Sequence, residues 1–208
     1  RVWSHASQMV VNRRKPMITS KIKSLAAAIT LAACIVTVTP ALAQSTSEAQ
    51  SAASLSVVME FLANTAPDKV EAAAEKLAAP DATYVSLNFD NPELRKIMPW
   101  TGTNKGPIAF SSLFLQVSDY WKIEDFTIST KISSGEDVAI FGKFTYRSVA
   151  VDQVFTSPFS IHAKVRDGKM TYFQFMEDTY ASASSFRQSG SWTVKTSANA
   201  APFTVAAD

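Results

Sequence analysis

The chain is 208 residues long with a formal net charge of +2, but Arg1, Arg13, Arg14, Lys15, Lys21 and Lys23 precede its first acid, Glu48. Without those six cations the remainder carries −4 and has no basic cluster, so nucleic acid is excluded as a partner. The single cysteine, Cys34, falls in the same leading segment, which leaves the rest without a disulfide or a thiolate nucleophile.

Lys21 and Lys23 precede an uncharged apolar run from Leu25 to Val38, and Pro40 breaks it before Ala41-Leu42-Ala43. That order of positive, apolar and small residues predicts an export signal, with cleavage after Ala43. The apolar run is short for a membrane span, which needs about 20 residues. Leu31-Ala32-Ala33-Cys34 offers an alternative, a lipobox that would anchor the protein through lipidated Cys34. The expected organisation is therefore 1–43 as extension and signal, 54–187 as one domain, and 188–208 as a flexible tail. The expected location is periplasmic or secreted.

Gln44 to Ala53 reads as a linker, followed by a helix whose apolar face holds Leu55, Val58, Met59 and Leu62. A second helix spans Asp68 to Ala79 and is ended by Pro80-Asp81. Thr83 to Leu87 forms a short strand, and Pro92 to Ile97 a possible helical turn. Gly106-Pro107 opens a third helix with Ile108, Leu113, Phe114 and Val117 as its apolar set. Four strands follow, at 122–133, 137–147, 154–166 and 169–178. Asp167-Gly168 marks a tight hairpin between the last two, and a short helix occupies 179–187. Helices followed by an antiparallel meander make an α+β domain, and a strongly curved sheet with helices across it encloses an apolar pocket.

The residue pattern nominates a few groups for chemistry. Asp178 is either a general acid or base at the pocket wall or the N-cap of the last helix. His162 is the one histidine left after cleavage. Alternation places it on the outer face, opposite Phe159, Ile161, Ala163 and Val165, unless a bulge reverses the strand. Lys143 lies on the outer face or points inward as a cation. Tyr84 and Trp100 are candidates for the pocket mouth. No metal-type spacing is present.

Three stretches carry a resemblance: Leu77-Ala-Ala-Pro-Asp-Ala-Thr-Tyr84, Trp100-Thr-Gly-Thr-Asn-Lys-Gly-Pro107, and His162-Ala-Lys-Val-Arg-Asp-Gly-Lys-Met-Thr-Tyr-Phe-Gln-Phe-Met-Glu-Asp-Thr179. Together they resemble the nuclear transport factor 2-like superfamily and its SnoaL-like group over about 54–187. The resemblance implies a cone-shaped fold, and it implies no single reaction. Where ketosteroid isomerases of this superfamily carry their catalytic aspartate, oxyanion-hole acid and tyrosine, this chain has Ser86, Ile161 and Phe61. Of the limonene epoxide hydrolase triad only Asp178 matches, with Lys143 and Thr145 at the other two places. Asp178 and His162 are the residues that could serve a cyclase-like reaction. The resemblance thus implies a pocket lined by Phe61, Tyr84, Trp100, Phe114, Lys143, Ile161 and Phe173, without cofactor or metal, in a homodimer that binds a small apolar molecule. A cofactor-free isomerase, lyase or polyketide-cyclase-like enzyme built on Asp178 is the alternative.

Overall fold

The computed structural model describes the backbone of residues 40–206 and the side chains of 47–206. Most of the segment expected as an export signal, with Cys34, lies outside the described residues.

The first helix, α1, spans Pro40–Leu62. It replaces the expected linker at Gln44 to Ala53, because the Ser/Ala/Gln-rich stretch contains no helix breaker and continues into the amphipathic segment. Ser54, Val58 and Phe61 form its buried stripe. α2, Val70–Leu77, buries Val70, Ala73, Ala74 and Leu77, a three-and-four spacing that gives one apolar face. Strand β1, Ala78–Ser86, begins at once, so Pro80-Asp81 lies inside a strand and does not end the helix. Both residues are exposed there, as a proline in a strand requires. α3, Pro92–Ile97, starts with Pro92 and is capped by Asn91, whose Oδ1 accepts from Leu94 N at 3.0 Å.

Gly102–Lys105 forms β2, an element the sequence did not signal, and α4 runs Pro107–Tyr120. Its buried set is Ala109, Phe110, Ser111 and Leu113. Ile108, expected in the core, is 79% exposed because it sits in the first turn and faces away. The meander is β3 Trp121–Ser134, β4 Asp137–Ser148, β5 Val154–Arg166 and β6 Lys169–Glu177. Asp167 and Gly168, with φ of +52° and +73°, make the tight turn between β5 and β6 that their sequence predicts. α5, Thr179–Ser184, follows.

The six strands form one sheet in the order β2-β1-β6-β5-β4-β3. All neighbours are antiparallel except β1 and β6, which run parallel with Tyr84 opposite Phe173 and Ser86 opposite Phe175. Register shifts in β3, in β6 against β5, and in β1 bend the sheet. α1, α2 and α4 cover its inner face. The result is an α+β cone with a curved sheet and helices across the opening. Residues 191–206, expected as a flexible tail, contain a second two-stranded sheet, β7 Ser191–Val194 with β8 Phe203–Ala206. Its Trp192 meets Tyr180 edge-on, with ring centroids 5.7 Å apart.

Candidate functional site

The inner face is built by period-2 alternation along three strands. β5 contributes Phe155, Ser157, Phe159 and Ile161, β4 contributes Ile140 and Phe144, and all six are buried. On β6 the same period continues from Phe173 through Phe175 to Glu177, and Glu177 pairs across the strands with buried Phe159. A carboxylic acid thus occupies the last inward position of a strand that is otherwise aromatic on that face.

Two aromatic groups fill the cone. Toward one end Phe61, Tyr84, Phe110, Phe114 and Phe173 pack together, Tyr84 edge to face on Phe110 at 5.0 Å and stacked on Phe173 at 5.2 Å. Toward the other, Trp100 and Trp121 lie 5.0 Å apart, and Trp121 stacks on Phe186 at 5.1 Å. Trp121 Nε1 donates to the buried Ser185 Oγ at 2.9 Å, tying the end of α5 to the start of β3. Phe144, Phe159 and Phe175 adjoin the second group, which Phe144 meets through Phe155 at 5.6 Å; Phe159 and Phe175 stack at 5.4 Å with their planes 14° apart.

Glu177 lies at the edge of this aromatic wall. Its Oε1 is sealed from solvent and has no hydrogen-bond partner among the described residues. Burial pushes its carboxyl up to about 7; the nearby Ser182 hydroxyl opposes the shift and the charge of Asp178 adds to it. Ser182 Oγ gives its hydrogen bonds to the carbonyls of Asp178 and Thr179, at 3.2 and 3.3 Å. Two tyrosines feel the Glu177 charge. Burial first, then Glu177 and Tyr146, holds the Tyr84 hydroxyl far above its ordinary value, and burial followed by Glu177 does the same to Tyr146. Both therefore stay O–H donors at any physiological pH. A groove of about 440 Å³, lined by Phe141, Pro158, Phe159, Ser160, Met176, Glu177 and Asp178, lies on the outer face of the sheet, to which Phe141, Pro158, Ser160 and Met176 point by alternation.

The residues nominated from sequence fall into three groups. Phe61, Tyr84, Phe114 and Phe173 do come together in the first aromatic group, Trp100 joins the second, and Ile161 is buried core. Lys143 is excluded from the interior: it is exposed on the outer face of β4, between the inward Gly142 and Phe144 positions. Asp178 and His162 do not enter the cone either. Asp178 is exposed, and its Oδ1 accepts from Ala181 N at 3.0 Å as the N-cap of α5. His162 is on the outer face, where its Nε2 pairs with Asp137 Oδ1 at 2.9 Å beside Lys164 Nζ at 2.6 Å. His162 and Lys164 hold the Asp137 carboxyl below the usual range. The residue that sequence reasoning missed is Glu177. Its signal is the inward alternation Phe173, Phe175, Glu177 on β6.

Among the described residues no three histidine, cysteine or carboxylate side chains gather as a metal site, and no helix is long and apolar enough to cross a membrane.

No protein-family model matches the chain. It is 44% identical over 126 residues to patulin synthesis protein F of Aspergillus clavatus, covering 59% of this chain and 64% of that protein. The chain thus spans less than two thirds of the length of the curated relatives it matches. Among solved structures it is similar to an NTF2-like protein from Burkholderia xenovorans LB400, with 20% identity and a TM-score of 0.57 over 66% of this chain and 98% of that one. It is also similar to a protein named as a SnoaL-like polyketide cyclase from Jannaschia sp. CCS1, with 11% identity and a TM-score of 0.50 over 65% and 92% of the two chains. The order of elements, the curved sheet and these likenesses agree: the chain has the NTF2-like, SnoaL-like cone fold.

Proposed function

We propose that this chain is a cofactor-free acid–base enzyme for a small, largely apolar molecule, with Glu177 as the proton carrier. The observation that carries the reading is the Glu177 carboxyl, sealed at Oε1 among aromatic rings and pushed up to about 7. A general acid or base works best when its pKa lies near the working pH, and a carboxyl perturbed by burial is a candidate for such a role. The chemistry open to it is proton transfer at carbon. Ionised Glu177 takes a proton from a C–H next to a carbonyl, Tyr146 or Tyr84 donates a hydrogen bond to the enolate oxygen, and Glu177 returns the proton at another position. Isomerases, lyases and cyclases share this step. The relative named for patulin synthesis supports a role on a small molecule.

Binding without turnover is the second reading, favoured by Glu177 being the sole acid whose carboxyl is raised to near neutrality among the described residues. We take the chain to be exported, on the strength of the Lys21-to-Ala43 pattern, and homodimeric through the outer face of the sheet.

Deuterium exchange separates the two readings. The purified protein is incubated in D2O with small cyclic ketones, and label at the α-carbon is followed by NMR. Turnover predicts incorporation above the buffer rate, with a loss of about 100-fold or more in Glu177→Gln. Equal rates in the wild type and the variant would exclude the enzyme reading.

A further inference from the structure

β6 ends at Glu177 and α5 begins at Thr179, so Glu177 and the capping Asp178 are the joint between the sheet and this six-residue helix. The segment is clasped at its two ends. At the start, Asp178 N donates to Ser157 Oγ at 2.8 Å. At the end, Trp121 Nε1 donates to Ser185 Oγ at 2.9 Å, and Phe186 stacks on Trp121 at 5.1 Å. Between the clasps Ser182 is fully buried, and Ala181 and Ala183 pack against the core. A short helix held in this way belongs to the segments that open first in a folded protein.

The joint is burdened in one protonation state. Glu177 Oε1 is sealed without a hydrogen-bond partner among the described residues. The groups placed to act on Glu177 are Phe159 of β5, the hydroxyls of Tyr84 on β1 and Tyr146 on β4, and Asp178 and Ser182 of the α5 segment. None is a cation, and no lysine, arginine or histidine is buried among the described residues. Asp178 adds a second negative charge, and the Ser182 hydroxyl is engaged by the carbonyls of Asp178 and Thr179. A protonated Glu177 is tolerable there. An ionised one is a buried charge without a counter-charge, strongly unfavourable until water reaches it, and lifting α5 lets water in. We propose that α5 is a latch on the Glu177 end of the cone, closed while Glu177 is protonated and released when it ionises.

The inference rests on the reading of Glu177 as the proton carrier and adds control of access to it. The ionised form is the one that takes a proton from carbon, so a single event arms the base and opens its seal. With the latch closed the carboxyl titrates near 7, and in water near 4.5. The hold on α5 is therefore complete below 4.5 and is lost as pH rises through 7.

Hydrogen exchange of the full chain, followed by NMR at pH 5 and pH 8 and corrected for intrinsic rates, tests the latch. The amides of Ser182 and Ser185, which donate to Asp178 O and Ala181 O, and the Trp121 indole N–H report on α5. The amides of Ile161 and Ala163 on β5 report on global unfolding. The α5 reporters are expected to lose protection by on the order of 50-fold from pH 5 to pH 8, with the β5 amides far better protected at both. Glu177→Gln should hold α5 equally at the two pH values, and Glu177→Met repeats the measurement should glutamine fail to fold. Ser185→Ala, which removes a clasp and no titrating group, should lower α5 protection at both pH values and keep the pH dependence. Equal protection of α5 and β5 at pH 8, no change between pH 5 and pH 8, or a pH dependence that survives without Glu177 overturns the latch. A Glu177 carboxyl that titrates near 7 while α5 protection ignores pH overturns the latch alone and leaves the Glu177 site standing; a carboxyl that titrates near 4.5 removes both.

Discussion

Glu177 and Asp178 are adjacent in the chain and have opposite surroundings: Glu177 Oε1 is sealed and unpartnered, while Asp178 is exposed and caps α5 through Ala181 N at 3.0 Å. The strand ends between them. Glu177 takes the last inward place of β6, and Asp178 takes the first position at which a helix needs an acceptor.

The raised Glu177 carboxyl links stability to pH. In the unfolded chain the group titrates near 4.5 and in the folded chain near 7, so the folded state binds the extra proton between those values. Its contribution is complete below 4.5 and is lost as pH rises through 7, about 3 kcal/mol in all. Urea melts at pH 5 and pH 8 should show the wild type losing stability across that interval and Glu177→Gln losing much less. A wild type whose stability rises between those pH values, with no difference in Glu177→Gln, would contradict the assignment.

Asp178→Ala removes a cap and a charge. Loss of the cap costs about 1 kcal/mol, visible as a lowered midpoint in a denaturant melt. Loss of the charge removes one of the influences that raise Glu177, so the pH profile of any Glu177-dependent reaction should move to lower pH while turnover persists. Abolished turnover in a folded Asp178→Ala protein would return the catalytic role to Asp178.

Gly142 leaves the space that Phe159 fills. A Cβ built there would lie 2.6 Å from Phe159 Cε1 and would also meet the carbonyl of Thr127. Gly142→Ala should therefore destabilise the protein by about 1–3 kcal/mol through overpacking. Because Phe159 pairs with Glu177 across β5 and β6, the variant should also lower the Glu177-dependent deuterium incorporation.

Ser185→Ala leaves the buried indole N–H of Trp121 without its acceptor at 2.9 Å. The expected cost is about 1–3 kcal/mol. His162→Gln, on the outer face, should change stability by about 0.5 kcal/mol or less and leave the activity intact. Thermal melts of the two variants side by side check both expectations.

The four meander strands were legible because their inward residues alternate; β5 reads Phe155, Ser157, Phe159, Ile161, Ala163, Val165 without a break. α2 and α4 were legible from spacing and from Pro107. The parallel pairing of β1 with β6 was not, because register between strands so distant in sequence leaves no local pattern. β2 is four residues long and polar outside Gly102, so it carries no hydrophobic period. At the candidate site, the aromatic groups were readable, and the acid nominated from sequence was Asp178, which caps α5, and not the inward Glu177. A resemblance to enzymes with an aspartate at the strand end drew attention to Asp178, and period-2 alternation pointed to Glu177.

The central claim is that Glu177 is a buried acid poised near neutrality. A carbon-13 NMR titration of glutamate side-chain carboxyls in the full chain measures it, with Glu177→Gln to assign the resonance. A midpoint at about 7 is expected; a midpoint near 4.5, as for a solvated glutamate, would show that Glu177 is not a buried acid poised near neutrality.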